Sequence, residues 1–403
     1  MSEEVAVEDV FVPMAFPTHT YVQRAAVGLE ERLAEALRTR GTIVSLVGPS
    51  KSGKTVLVEK VVGHENLVVI NGANIASSSD VADQVLDALG MPRTEEQADG
   101  SQRAFGAGWG PVKGEKSASS QKVRAFGRRG WSQVATHGDV DVLIDDFHYV
   151  PVELQQSVAH SLKEAAQLGI RVCVAAVRHR GDDLVRANPD LRGRVSPLDQ
   201  EYWDAPDLKE IALKGFAALN LIVDDVVLDR FAVEAAGSPQ LMQLICLTAC
   251  RFAGVSSRFA VKQRTANLSA SDVDEILRRA SAMADHTTLV NVLDAGPKIR
   301  GKPRKVYDFA DGSSGDVYRC VLKVIAADPP RLSFPYAELV SRATTICEGG
   351  LPPGSSVVET CRHMSSLAAA SSDRAVDWDD TKQVLDVPDP YLLFFLRWSN
   401  TIS

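Results

Sequence analysis

Hydrophobic and polar positions along the first half of the chain fall into alternating blocks that predict a parallel α/β sheet. Short runs rich in β-branched residues predict strands, and the stretches between them have the periodicity of helices. The predicted strands are residues 42–47, 67–71, 141–145, 170–177 and 195–198. The predicted helices between them are residues 21–40, 55–62, 81–89, 131–136 and 151–168. Because strands and helices alternate, we expect helices on both faces of the sheet.

After residue 202 the pattern changes to helices alone, at 206–219, 225–236, 239–253 and 269–284. A stretch rich in Gly, Pro and charge at 296–315 then predicts a linker. Three further helices follow, at 316–327, 334–346 and 355–370, and a hairpin at 375–386 precedes a last helix after Asp389. This is the element order of a winged helix. We therefore predict an α/β core at 1–204, a helical lid at 205–290, a basic linker at 291–315 and a winged helix at 316–403.

Between the first strand and its helix lies a segment that fits the pattern G-x-x-x-x-G-K-[ST]. Its residues are Gly48, Pro49, Ser50, Lys51, Ser52, Gly53, Lys54 and Thr55. In this context backbone N–H groups can surround phosphate oxygens at a helix N-terminus. Lys54 would reach the β- and γ-phosphates, and the Thr55 hydroxyl would bind Mg²⁺. A chance Gly/Ser/Lys turn is the alternative, but both flanks favour a nucleoside triphosphate site.

Two carboxylates, Asp145 and Asp146, end the third predicted strand, which we expect to neighbour the strand before the loop. An Asp-Asp pair after a strand can be an ordinary turn. Behind a phosphate loop, however, one acid can hold Mg²⁺ and the next can orient or deprotonate an attacking water. We assign the first role to Asp145 and the second to Asp146.

With these motifs the chain resembles the AAA+ ATPases and the related STAND switch ATPases, both additional-strand P-loop NTPases. The resemblance is carried by GPSKSGKT at 48–55, VLIDDFHYV at 142–150, VCVAAVRHR at 172–180 and GSPQLM at 237–242. It covers residues 20–290, and the winged helix extends it to the C-terminus. It implies ATP and Mg²⁺ as ligands and a homo-oligomer as the working form.

The resemblance also implies roles for single residues. Arg178 corresponds to a sensor of the γ-phosphate, and Arg194, with Arg192 as the other candidate, to an arginine that acts on a neighbouring subunit. Pro239, with Gly237, would pack near adenine, and Tyr21 and Arg24 match the box before the loop loosely. The alternative for the three arginines is surface pairing with Asp182, Asp183 and Asp190.

One residue departs from the family pattern. Most active AAA+ enzymes have Asp-Glu where this chain has Asp145-Asp146. The shorter carboxylate of Asp146 is about 1.5 Å, one bond length, further from the water. We therefore expect slow hydrolysis or a switch held by bound nucleotide rather than a fast motor.

An insert at 101–131 is strongly basic, although the 403-residue chain has a net charge of −8. Its cations alternate with aromatic residues in a Gly/Ser-rich frame, and the tetrad Arg-Ala-Phe-Gly occurs twice, each copy followed by Trp109 or Trp131. Such a segment suits DNA binding by phosphate neutralisation and base stacking. A loop packed on the sheet or on a neighbouring subunit is equally consistent. The basic residues are Arg103, Lys113, Lys116, Lys122, Arg124, Arg128 and Arg129.

Composition limits the possible cellular location of the protein and the possible roles of its cysteines. No apolar run approaches the ~20 residues that span a bilayer, and the acidic N-terminus does not fit a signal peptide, so we expect a cytoplasmic protein with no membrane contact. None of the six cysteines has C-x-x-C spacing, and Cys246 and Cys250 are predicted to be core thiols.

Three functions remain open at this point. The first is a slow ATP-dependent switch that controls a separate effector protein. The second is a DNA-binding assembly ATPase that uses the 101–131 insert, and the third is a scaffold that binds nucleotide without turnover. Transposition, replication and antiviral defence are settings suggested by analogy alone. The candidate recognition helix at 355–370 offers only Arg362 and His363 as basic residues, which favours a regulatory winged helix as much as a DNA-binding one.

Overall fold

A parallel sheet organises the first half of the molecule. The computed structural model describes residues 5–24, 27–76, 81–91, 130–177, 183–259, 263–298, 303–370 and 375–402. Within these ranges the sheet has five strands, Ile43–Val47 (β1), Leu67–Asn71 (β2), Asp141–Asp145 (β3), Arg171–Ala176 (β4) and Val195–Asp199 (β5). All neighbouring strands pair in parallel. The strand predictions are therefore confirmed to within one or two residues at each end.

The strand order is β2-β3-β4-β1-β5, and this order corrects one expectation. The strand that ends at Asp145 is not a neighbour of β1, because β4 lies between them and pairs with both. This inserted strand is the additional strand of the fold. The carboxyl ends of β1 and β3 still lie at the same edge of the sheet, so the loop after β1 and the acids after β3 remain within reach of each other.

Helices cover both faces of the sheet. The chain begins with a short helix, Val7–Val10 (α1), that packs with the lid instead. The helices on the sheet are Leu29–Arg38 (α2), Lys54–Val62 (α3), Val81–Ala88 (α4), Trp131–His137 (α5), Val152–Gln167 (α6) and Asp183–Ala187 (α7). The helix predicted over 21–40 is wrong in its first part, since α2 begins only after Gly28, whose φ of 60° is left-handed. Residues 21–24 instead contact the lid, where Arg24 Nε donates to Asp207 at 2.8 Å.

Over residues 205–259 and 263–286 the lid has four helices, Ala205–Ala218 (α8), Asp225–Glu234 (α9), Pro239–Phe252 (α10) and Ala270–Ser281 (α11). Each begins at a residue whose side chain accepts from the first turn, namely Asp204, Asp224, Ser238 and Ser269. The expectation of helices alone is wrong, because Leu221–Val223 (β6) pairs in parallel with Arg264–Ala266 (β7). Cys246 and Cys250 are buried in the lid core, as predicted. The N-terminal Val7, Val10 and Phe11 pack in the same core.

The C-terminal elements follow the predicted winged-helix order. They are Thr287–Ala295 (α12), Tyr307–Phe309 (β8), Ser314–Gly315 (β9), Val317–Ala326 (α13), Ser333–Pro335 (β10), Tyr336–Ile346 (α14), Cys347–Glu348 (β11), Gly354–Ala370 (α15), Asp377–Asp379 (β12), Val384–Asp386 (β13) and Pro390–Trp398 (α16). The hairpin of β12 and β13 adds β10 as a third strand. The segment predicted as a linker contributes to this domain, because Leu293, Tyr307 and Phe309 are buried in its core.

The last helix, α16, is shared by two cores. Tyr391 and Phe394 pack with the lid, whereas Leu392, Leu393 and Leu396 pack with the winged helix. A buried polar contact reinforces this arrangement. Arg397 donates from Nε and Nη2 to the two carboxylate oxygens of Glu234 in α9, at 2.9 and 2.8 Å. The lid and the winged helix therefore pack together through a common helix.

Candidate functional site

The predicted phosphate loop, residues 48–55, leaves β1 and enters α3. Gly48 is required by a close approach, because a Cβ built there would lie 2.8 Å from the backbone oxygen of Gln200. Lys51 has a left-handed φ of 58°, so the chain turns sharply in the middle of the loop. This geometry places Lys54 and Thr55 in the first turn of α3. The helix N-terminus faces the loop, as phosphate binding needs.

Lys54 is directed back into its own loop. Its ammonium group donates to the backbone oxygens of Gly48 at 3.2 Å and Pro49 at 2.7 Å, and the residue is 7% exposed. Burial lowers the pKa of Lys54, while the nearby charges of Asp145 and Asp146 act in the opposite direction. A cation held in this way can exchange backbone oxygens for phosphate oxygens without crossing bulk water.

The two carboxylates after β3 lie beside the loop, as predicted. Asp145 Oδ2 accepts a hydrogen bond from Thr55 Oγ1 at 2.5 Å, across 90 residues of sequence. Asp146 has a left-handed φ of 53°, and its backbone N–H donates to Asp145 Oδ1 at 2.9 Å. Burial and the charge of Asp145 raise the pKa of Asp146, against the opposing charge of Lys54. The pair thus combines a carboxylate oxygen beside Thr55 with a second carboxylate whose pKa is raised.

Gly72 makes room for this turn. It follows β2, and a Cβ built on it would lie 2.5 Å from the backbone oxygen of Asp146. Any larger residue would displace Asp146 from its position next to the loop. This close contact was not anticipated from the sequence, in which Gly72 is only part of an ordinary Asn-Gly turn.

A cavity of about 560 Å³ extends from the loop toward the lid. Lys54, Thr55, Asp145 and Asp146 line one part of it. The remainder is formed by the N-terminal segment, the end of β5 and the start of α10, including Phe16, Tyr21, Arg24, Gln200, Trp203, Pro239 and Gln243. The predicted Pro239, Tyr21 and Arg24 therefore lie at the site. Gly237 packs against Tyr202 instead and does not line the cavity.

Three side chains fix the backbone of the loop from outside. Gln200 Nε2 and Trp203 Nε1 both donate to the Ser52 oxygen, at 2.5 and 3.0 Å. Ser238 Oγ, at the start of α10, donates to the Lys51 oxygen at 3.2 Å. The conformation of the loop is thereby coupled to the lid and to the segment that connects the lid to the sheet.

Lys51 also contacts the C-terminal domain. Its ammonium group lies 2.8 and 3.0 Å from the two carboxylate oxygens of Asp389, which begins α16, and 4.1 Å from the centre of the Tyr391 ring. His286 Nε2 lies 3.2 Å from the same carboxylate. Burial alone would raise the pKa of Asp389, but the hydrogen bond from His286 and the charge of Lys51 lower it to about 2.

Two of the three predicted arginines, Arg192 and Arg194, do not line the cavity. Arg178 lies outside the described residues. Arg192 and Arg194 are exposed near the start of β5, and neither guanidinium has a hydrogen-bond or ion-pair partner in the part of the chain that the structure describes. Asp190, which we considered as their partner, pairs with Lys163 at 3.0 Å. Both arginines are therefore exposed and lie outside the cavity of their own chain.

The basic insert cannot be placed in the same way. Its seven basic residues all lie outside the described residues. Of its aromatic residues, Trp131 is described, and it is a core residue that is 1% exposed and donates from Nε1 to Ser161 at 2.8 Å. On the winged helix, Arg362 of α15 donates to Asp380 of the hairpin at 2.6 Å. The hairpin is acidic, with Asp377, Asp379 and Asp380.

Sequence reasoning missed Gln200, Trp203, Gln243 and the partners of Lys51. Gln243 had a usable signal, because it is a polar residue within the apolar run LMQLICL that follows Pro239 and Gln240. The contact of Lys51 with Asp389 had none, since it spans 338 residues and depends on how the domains pack.

Comparison with solved structures agrees with this architecture. The chain is similar to the ORC2 protein of Aeropyrum pernix, with a TM-score of 0.51, 12% identity and coverage of 99% of this chain and 98% of that one. A Walker-type ATPase of Pyrococcus abyssi matches 95% of this chain and 100% of its own, at 13% identity and a TM-score of 0.48. Cdc6p of Pyrobaculum aerophilum matches at 14% identity and a TM-score of 0.43, covering 99% and 98%. No family model and no curated protein matches the sequence. At these identities the likeness concerns the fold. A search of the described helices also finds none with the length and apolar character needed to cross a bilayer.

Proposed function

We propose that this chain, which has the fold of an AAA+ P-loop ATPase with a C-terminal winged helix, binds ATP and hydrolyses it slowly as a molecular switch. The observation that carries the proposal is the grouping of Lys54, Thr55, Asp145 and Asp146 around one cavity at the end of β1. The ORC2 protein of similar fold was solved in complexes with ADPNP and ADP, which supports an adenine nucleotide as the ligand.

The residues present suit Mg²⁺. Thr55 Oγ1 and Asp145 Oδ2 are hard oxygen donors 2.5 Å apart, and Mg²⁺ in nucleotide sites is bound by few protein oxygens together with substrate phosphates. Bound there, Mg²⁺ would supply positive charge next to the β- and γ-phosphates. Lys54 would hold the same phosphates. Asp146 would orient the attacking water and accept its proton, and its raised pKa makes it a better base than an ordinary aspartate.

The switch part of the proposal rests on the contact of Lys51 with Asp389. A loop that binds phosphates is joined by an ion pair to the helix that the lid and the winged helix share. Nucleotide binding can therefore shift the docking of both domains, provided that ATP and ADP interact differently with the two arrangements. A separate effector would respond to the exposed surface that this movement changes.

Self-assembly is the second part of the proposal. Arg194 would contact the γ-phosphate bound by a neighbouring subunit, since its side chain is exposed and has no partner among the described residues. Arg194→Ala should keep its ATP affinity but lose phosphate release, whereas Arg192→Ala serves as the comparison. Mixing Arg194→Ala with Asp146→Asn should restore part of the activity, because each supplies what the other lacks. No recovery in the mixture would contradict a role in trans.

A DNA-dependent assembly ATPase is the second candidate. It is favoured by the seven cations of the 101–131 insert, whereas the bonded Arg362 and the acidic hairpin argue against DNA contact through the winged helix. Transposition, replication and antiviral defence remain settings for either function.

One experiment separates these functions. Phosphate release and light scattering are measured for the wild type, Lys54→Ala and the exposed control Lys382→Ala, each with and without DNA. A switch ATPase should release phosphate in the wild type and the control but not in Lys54→Ala, without a need for DNA. Strict dependence on DNA would favour the second candidate. Equal release from all three proteins would refute the ATPase, and ATP binding without release would leave a nucleotide-binding scaffold.

A further inference from the structure

Two thiols of the winged helix lie in contact with each other. Cys320 of α13 and Cys347 of β11 are 27 residues apart in sequence, and their sulfur atoms are 3.5 Å apart. A disulfide bond is about 2 Å long, so the two sulfur atoms need to approach by about 1.5 Å. Neither cysteine lines the nucleotide cavity, and the proposed ATPase gives neither of them a role.

The two thiols differ in their access to solvent. All six cysteines of the chain fall within the described residues, and five of them, including Cys320, are buried. Cys347 is the sixth and is partly exposed. A cavity of about 330 Å³ lies beside the pair, and its wall includes Lys323, one turn after Cys320, and Ile346, next to Cys347. A small oxidant therefore reaches Cys347 before it reaches Cys320.

The protonation of Cys320 suits a second step rather than a first one. Burial and the hydrogen bond with Cys347 raise the pKa of the Cys320 thiol well above its usual range. Cys320 thus keeps its proton at neutral pH and is the donor in this contact. Because reaction with an oxidant depends on access as well as on thiolate character, we expect it to begin at Cys347.

We propose that Cys320 and Cys347 are a redox-sensitive pair that closes to a disulfide when the protein meets hydrogen peroxide. The Cys347 sulfur attacks one peroxide oxygen, the O–O bond breaks, and one water leaves while Cys347 becomes a sulfenic acid. The Cys320 sulfur then attacks the Cys347 sulfur, the S–O bond breaks, and the oxygen leaves as water with the proton of Cys320. Two thiols and one hydrogen peroxide thus give one disulfide and two waters, and a thiol reductant reverses the change.

The disulfide would join α13 to the small sheet formed by β8, β9 and β11. Cys347 pairs with Phe309 of β8, and α13 ends at Ala326, whose backbone oxygen accepts from Arg397 of α16 at 2.7 Å. A closed loop over residues 320–347 restricts the unfolded chain and so stabilises the folded winged helix. The inference is independent of the proposed nucleotide site.

The test is oxidation of the full, folded chain with hydrogen peroxide, followed by digestion with trypsin in the absence of reductant. Trypsin cleaves after Lys and Arg, so Cys320 falls in the peptide 320–323. Cys347 falls in the peptide 343–362, which also contains Cys361. Mass spectrometry should find these two peptides joined, with the loss of two hydrogen atoms, and dithiothreitol should separate them.

Two variants identify the partner of Cys320. Cys347→Ser should lose the cross-link, whereas the control Cys361→Ala, which removes the buried thiol of α15, should keep it. Thermal unfolding gives a second measurement, since the oxidised wild type should unfold at a higher temperature than the reduced protein and Cys347→Ser should show no such shift.

The cross-link is measured on the wild type and needs no variant to fold. The proposal is overturned if both thiols of the wild type stay free after peroxide treatment, or if Cys347 is oxidised further without a cross-link. A cross-link that persists in Cys347→Ser, or a thermal shift of equal size in that variant, would overturn it as well.

Discussion

Lys51 and Asp389 form an ion pair that joins the phosphate loop to the N-cap residue of the last helix. The distances from Nζ to the two carboxylate oxygens are 2.8 and 3.0 Å, across 338 residues of sequence. Asp389 Oδ1 also accepts from the Tyr391 N–H at 2.9 Å and so caps α16. One carboxylate therefore stabilises a helix terminus and contacts the loop at the same time. A change in the loop conformation should consequently alter the capping of α16.

A double-mutant cycle measures this contact. We expect Lys51→Met and Asp389→Asn to be coupled by roughly 1–2 kcal/mol in the free energy of unfolding, because both groups are at least two-thirds buried. Urea unfolding of the four proteins gives the value, and repeating it with saturating ATP shows whether the coupling responds to nucleotide. The exposed pair of Lys382 and Asp379, 3.6 Å apart, is the control, for which we expect no measurable coupling. A coupling energy of zero between Lys51 and Asp389 would contradict the proposed switch.

Asp146 determines the predicted rate of hydrolysis. Asp146→Glu lengthens the side chain by one bond and should raise phosphate release, roughly tenfold, because it brings the carboxylate nearer to the water. Asp146→Asn should lower phosphate release by about 10²-fold while ATP affinity is preserved, since the amide cannot accept the proton. Release and affinity are measured on the same preparations. If Asp146→Glu releases phosphate more slowly than the wild type, the length of the Asp146 side chain does not limit the rate of hydrolysis.

The lowered pKa of Asp389 predicts acid sensitivity. A carboxyl group whose pKa is lower in the folded state contributes stability above its unfolded pKa and loses it as the pH falls through the folded value. For Asp389 that window runs from about pH 4 to about pH 2. The difference in unfolding free energy between wild type and Asp389→Asn should shrink by roughly 2 kcal/mol across it, as followed by urea unfolding at several pH values. A difference independent of pH would show that Asp389 is not held as a carboxylate by Lys51 and His286.

The basic insert provides a separate prediction. Replacing Arg124, Arg128 and Arg129 together by Glu should abolish any DNA binding and leave ATP affinity unchanged, because the insert is separate in sequence from the loop at 48–55. Binding of labelled duplex and single-stranded DNA is measured at several salt concentrations, since phosphate contacts weaken steeply with salt. Unchanged DNA affinity in the variant, or none in the wild type, would exclude the DNA-dependent function.

The sequence was a good guide wherever structure depends on local pattern. The boundaries of β2 and β3 match their predicted residues, because a β-branched run followed by polar residues leaves little choice of where a strand ends. Thr55 and Asp145 were predicted to lie together from their motifs, and they do.

The predictions that were wrong concern elements whose structure depends on contacts between residues distant in sequence. The pairing of β6 with β7 and the burial of Tyr307 and Phe309 come from tertiary packing of short segments with no strong periodicity. The start of α2 was misplaced because helical composition over 21–28 is overridden by the left-handed Gly28 and by the contacts of Arg24 with the lid.

The shared helix α16 constrains how this protein can be divided. Its alternate faces complete two different cores, so removal of residues 390–398 would expose apolar surface on the lid as well as on the winged helix. We therefore expect the lid to be unstable when it is expressed without the winged helix. For engineering, residues 205–402 would have to be exchanged together, and with them the N-terminal Val7, Val10 and Phe11 that complete the lid core.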